Sequence, residues 1–112
     1  MSLTIQTKEE NGITVISLIG NLDSNTASDA DAEINQWLIK NVHKMVINLI
    51  ETKYVSSAGL RVFLATAKKM SATGGILKFC SPNDVVREIL EISGFTTILD
   101  VKGTLEEAMN EI

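Results

Sequence analysis

The chain has 112 residues, 45% of them hydrophobic and 21% charged, a composition that fits one folded domain and excludes a disordered segment. Ten Lys and Arg against 14 Asp and Glu give a formal net charge of −4, a poor start for nucleic-acid binding. A single Cys excludes an internal disulfide, and one His with one Cys cannot build a structural zinc site of the usual Cys/His types.

The first ten residues lack the basic and apolar regions of a signal peptide. No run approaches the ~18 apolar residues of a spanning helix, so a cytoplasmic location without membrane contact is expected. Leu3-Thr4-Ile5-Gln6-Thr7 alternates apolar and polar residues, as a half-buried strand does. Asn11-Gly12 supplies a turn signal, and Ile13 to Ile19 follows as a β-branched run that is apolar on both faces. Together they predict a hairpin whose second member is an inner strand.

Gly20 closes that run, and Ser24, Asn25 or Thr26 can cap the helix marked by Ala27, Ala30, Ile34, Trp37 and Leu38. Met45 to Ile50 reads as a further strand. The loop after it ends in Ser56-Ser57-Ala58-Gly59, and Leu60, Phe63, Leu64, Ala67 and Met70 then recur at helical spacing. Gly74-Gly75 ends that helix, and Ile76 to Cys80 is a strand. Ser81-Pro82 places a cap beside an N1 proline and predicts that a third helix starts there. Gly94 breaks it, Ile98-Leu99 is a short strand candidate, and Leu105 to Ile112 marks a last amphipathic helix. The pattern implies an α/β fold with a mixed sheet of four to five strands, packed with about four helices, in one domain spanning residues 1–112.

Little in the chain suggests catalysis. A nucleophile needs a base within hydrogen-bond reach and a group to orient that base. His43 falls in a polar link, and Cys80 ends an apolar strand where a buried thiol acts as a small hydrophobe. Gly74-Gly75 follows a helix and lacks the spacing of a phosphate loop. No cofactor motif is present. The segment Tyr54-Val55-Ser56-Ser57-Ala58-Gly59-Leu60 remains. It places two hydroxyls where a loop enters a helix whose first-turn N–H groups lack intrahelical partners. A phosphate there would meet those donors. Equally, Ser56 can be a plain cap with Ser57 merely tolerated. A Ser hydrolase is disfavoured, because Val55 stands where a nucleophile elbow needs its first glycine.

Two patches carry a family likeness. Gly20-Asn21-Leu22-Asp23-Ser24-Asn25-Thr26-Ala27 is one, and Asn48-Leu49 followed by Tyr54 to Leu60 is the other. With Ser93-Gly94-Phe95 and the order of elements, the whole chain resembles the anti-sigma factor antagonist family, the STAS domains of bacterial regulation. The resemblance implies a phosphorylation switch. In that family the unphosphorylated antagonist binds an anti-sigma factor, a serine kinase of the histidine-kinase-like ATPase fold. Phosphorylation of one Ser ends the interaction, and a PP2C-type phosphatase resets it. The matching acceptor here is Ser57, with Ser56 as the alternate. Ser56 stands where the family carries an aspartate, and Asp23 matches its acidic position. The implied partner surface is Asp23, Ser24, Asn25, Ser56, Ser57, Ala58, Gly59 and Arg61. A constitutive STAS scaffold without phosphorylation is the competing expectation.

Overall fold

The computed structural model describes residues 2–112. Strands β1 (Leu3–Glu10) and β2 (Ile13–Leu22) form an antiparallel hairpin, with Leu3 opposite Gly20 and Glu10 opposite Ile13. Asn11 and Gly12 both take positive φ, +55° and +80°, as a tight type I′ connection demands. Helix α1 (Ala27–Ile39) returns the chain to β3 (Lys44–Asn48), which lies parallel to β2. Strand β4 (Thr52–Val55) then pairs parallel with the far end of β2. After helix α2 (Ser57–Ala72), strand β5 (Ile76–Cys80) joins β3. Helix α3 (Asp84–Ile92), a 3-10 turn at Phe95–Thr97, strand β6 (Val101–Lys102) and helix α4 (Leu105–Glu111) complete the chain.

The sheet is therefore mixed and α/β as expected. It runs β1-β2-β3-β5-β6 with β4 beside β2. Its six strands exceed the expected four to five because β4 and β6 are too short, four and two residues, to carry a sequence period. Strand β2 is buried on both faces. Ile16 and Leu18 join Met45, Ile47 and Phe79 under α1 and α2, while Ile13 and Val15 join Val46 and Cys80 under α4. Phe63 of α2 packs its ring 4.8 Å from that of Phe79. Cys80 is fully buried, and its Sγ lies 3.5 Å from Asn48 Oδ1 as a donor.

Several elements differ from expectation: β1 runs on to Glu10, and β3 spans Lys44–Asn48 where Met45 to Ile50 is expected. Helix α3 starts at Asp84, and its cap is Asn83, whose Oδ1 accepts from Val86 N at 2.8 Å. The Asn83 amide also donates to Thr52 O, tying the helix to β4; Ser81 instead sits at φ +59° and caps nothing. The strand candidate Ile98-Leu99 is a turn closed by Leu99 N donating to Phe95 O at 2.7 Å. Strand β2 continues past Gly20 to Leu22, with a register shift between Gly20 and Asn21. The end of α2 is as expected: Gly74 takes φ +75° and Gly75 N donates to Met70 O at 2.8 Å. No helix among the described residues is long and apolar enough to cross a membrane.

Candidate functional site

The parallel ends of β2 and β4 bring the two sequence patches side by side. Asn21 lies opposite Tyr54 and Leu22 opposite Val55, and Ser56 N donates to Leu22 O at 2.8 Å. Each strand then feeds a helix. Residues more than thirty apart in the chain thus open their helices from adjacent positions. No sequence period announces that adjacency.

The start of α1 is a closed hydrogen-bond circuit. Asp23 Oδ1 accepts from Asn25 N at 2.9 Å and from Thr26 N at 3.2 Å. Thr26 Oγ1 donates to Asn21 O at 2.8 Å and accepts from Asp23 N at 2.9 Å. Thr26 stands at the N-cap position, yet its buried hydroxyl points back to the strand end, so it makes no capping bond. The Asp23 carboxylate closes an Asx-type turn in its place. Ser24 and Asn25 are left exposed at the tip.

The start of α2 is simpler. Ser56 is extended, φ −87° and ψ 176°, and its Oγ accepts from Gly59 N at a long 3.4 Å. Ser56 is therefore the cap, which leaves the hydroxyl of Ser57, the first helical residue, exposed and uncommitted. The amides of Ser57 and Ala58 belong to the first turn, where no intrahelical acceptor exists. No acidic residue occupies that turn. Gly59 is buried against β2. A Cβ there would lie 2.8 Å from Leu22 Cγ and 2.9 Å from Val55 Cγ1, so only glycine lets the helix start this close to the strands.

Between the two helix starts runs a shallow open groove of about 390 Å³. Ser24, Ser28 and Asp31 line the α1 side, and Ala58, Arg61 and Val62 the α2 side. Of the expected surface residues, Ser24, Ala58 and Arg61 line this groove. Asp23 and Ser56 hold the two turns beside it, Asn25 and Ser57 are exposed but outside its lining, and Gly59 packs on Leu22 and Val55. Ser28 and Asp31 also line it; their three-residue spacing on one face of α1 is the available signal.

The structure does not bring His43 to Ser57. His43 precedes β3, which pairs with β2 at Thr14–Ser17, while Ser57 follows β4, which pairs with β2 at Gly20–Leu22, so the two residues lie toward opposite ends of β2. Burial pushes the Cys80 thiol up, away from thiolate chemistry. No group of three or more His, Cys, Asp or Glu suited to a metal occurs among the described residues.

Comparison with known proteins follows this geometry. The STAS domain family model matches residues 4–108. A Bordetella bronchiseptica protein named "Putative anti-sigma factor antagonist BtrV" is 37% identical over 97 residues, covering 87% of this chain and 84% of its own. An anti-sigma factor antagonist from Mycobacterium paratuberculosis has a TM-score of 0.92 at 22% identity, over 99% of this chain and 94% of that one. The Bacillus cell fate determinant SpoIIAA in its phosphorylated form has a TM-score of 0.75 at 21% identity, over 96% and 98%. At these identities the two solved structures bear on the fold.

Proposed function

Because the chain belongs to the STAS domain family, we propose that it is an anti-sigma factor antagonist switched by phosphorylation of Ser57. Residues 1–112 act as one interaction module in the cytoplasm. Unphosphorylated, it binds an anti-sigma factor of the serine-kinase type with the ATPase fold. The kinase transfers the γ-phosphoryl of ATP to Ser57 Oγ; an O–P bond forms, the hydroxyl proton is lost and ADP leaves. A PP2C-type phosphatase hydrolyses the ester and restores the binding form. The contact surface is the pair of helix starts, with Asp23, Ser24 and Asn25 on one side and Ser56, Ser57, Ala58, Gly59 and Arg61 on the other.

The observation that carries this reading is the division between two adjacent serines. Ser56 caps α2, and Ser57, next in the chain to the groove-lining Ala58, is left exposed. A neutral Ser57 can enter a partner interface at little cost. A phosphate adds a charge of about −1.5 to −2 and takes the chain from −4 to about −6. Unpaired in an interface, such a charge costs about 2–5 kcal/mol. That is roughly 30- to 4000-fold in affinity.

A pull-down with the wild type, Ser57→Ala and Ser57→Asp, read by mass spectrometry, tests the switch and identifies the partner. Ser57→Ala should retain the partner and Ser57→Asp should lose it. Equal retention by both removes the switch and leaves a constitutive STAS scaffold. Incubation with the captured kinase and ATP should add one phosphate to the intact mass, absent in Ser57→Ala.

A further inference from the structure

We propose that Arg61 is the built-in counter-charge of a phosphate on Ser57. This deepens the function proposed above and rests on Ser57 as the acceptor. Ser57 and Arg61 are both exposed and stand four residues apart on α2, so they share one face of the helix. The order is the favourable one, with the acidic member nearer the N-terminus. Arg61 is available for this role, because no ion pair among the described residues involves it. Asp31 lines the facing wall of the same groove without pairing to it.

The guanidinium fork suits a phosphate, offering parallel N–H donors to its oxygens. Neutral Ser56 and the acid-free first turn put no carboxylate between the two groups. Ser56 itself lies five residues from Arg61 and off that face, so the same pairing is not open to it. Phosphorylation then does two things to the surface. It adds a dianion at Ser57, and it turns the Arg61 cation away from the groove, where a partner would otherwise meet it.

The test installs phosphoserine at position 57 during synthesis through an expanded genetic code, so that no kinase is needed. The ³¹P signal of the folded protein is then titrated through pH 6, near the second ionisation of the phosphate. With Arg61 present, the ratio of dianion to monoanion should be about two- to tenfold higher than in Arg61→Gln, a midpoint lower by roughly 0.3–1 pH unit. Arg61→Lys should fall between the two, and 1 M salt should shrink the difference. Phosphoserine at position 56 should show no dependence on residue 61. Equal midpoints for the wild type and Arg61→Gln with phosphoserine 57 would overturn the proposal. Because the phosphate is supplied chemically, failure of every kinase to modify Ser57 would sink the functional reading and leave this result standing. Arg61 is exposed, so the Arg61→Gln protein should fold; a native circular dichroism spectrum verifies it.

Discussion

Helix α1 leaves β2 through a turn held by five side-chain hydrogen-bond contacts among Asn21, Asp23, Asn25 and Thr26. Helix α2 leaves β4, one strand away, with a single side-chain bond at 3.4 Å from a serine. Both turns meet the same need, because the first N–H groups of any helix lack intrahelical acceptors. The first turn spends its polar groups on itself and fixes a shape. The second uses one serine as a light cap and keeps the next one spare. A surface that must be recognised and also altered benefits from that asymmetry, since one half stays constant while the other changes charge.

The largest effect expected from disturbing this arrangement comes at the contact that binds the halves together. Gly59→Ala puts a methyl within 2.9 Å of Leu22 and Val55. It should cost about 1–3 kcal/mol of stability. Urea denaturation should show a lower midpoint with an unchanged slope. An unchanged midpoint would mean that α2 slides off β2 freely and the two starts are independent.

Next comes Asp23→Ala, which orphans the Asn25 amide, leaves the Thr26 amide only its bond to Asp23 O, and should cost about 1 kcal/mol. Asp23→Asn keeps an acceptor and should recover most of it. Ser56→Ala should cost less, about 0.5 kcal/mol, because the bond it removes is long. If Ser56→Ala proved as costly as Asp23→Ala, the contrast between a fixed and a light turn would collapse.

The smallest effect lies away from both turns and serves as a reference. Asp100 pairs with Lys78 and with Lys102, and Lys102 pairs in turn with Glu111 of α4. The hydrogen bond from Lys78, then its charge and the Lys102 bond and charge, hold the Asp100 carboxyl below its ordinary value. A lowered folded-state value gives stabilisation that is present above about pH 4 and is lost as pH falls through the folded value. Protection of the α4 amides, taken relative to the intrinsic exchange rate at each pH, should therefore fall modestly below pH 4 and recover on neutralisation. Protection that ignored acid would show that the ion pairs contribute nothing to docking α4.

Much of this was legible in the chain. The alternation of β1, the Asn11-Gly12 turn and the doubly apolar β2 each rest on local rules, and each is present, with β1 running on to Glu10 and β2 to Leu22. Strand β4 escaped because Thr-Lys-Tyr-Val has no usable period at four residues and gains its place only by pairing with β2. The start of α3 was misplaced because Ser81-Pro82 imitates a cap. The deciding contact, Asn83 to Thr52 O, spans the fold and leaves no local trace. The same division holds at the site. Its residues stood out as two patches, but the groove between them and the Gly59 contact with Leu22 depend on the parallel pairing of β2 with β4. The role of Asp23 in closing the α1 turn also went unread, since Ser24, Asn25 and Thr26 were all plausible caps by type.

The lone cysteine has a use that its chemistry alone does not suggest. Cys80 is fully buried among the residues that pack with α4, and burial holds its thiol protonated. A thiol reagent can reach it only while that side of the sheet is open. Since the chain has no second thiol, the labelling rate counts those openings at one place and at one rate. The protein thus carries its own stopwatch for the face of the sheet opposite α1 and α2.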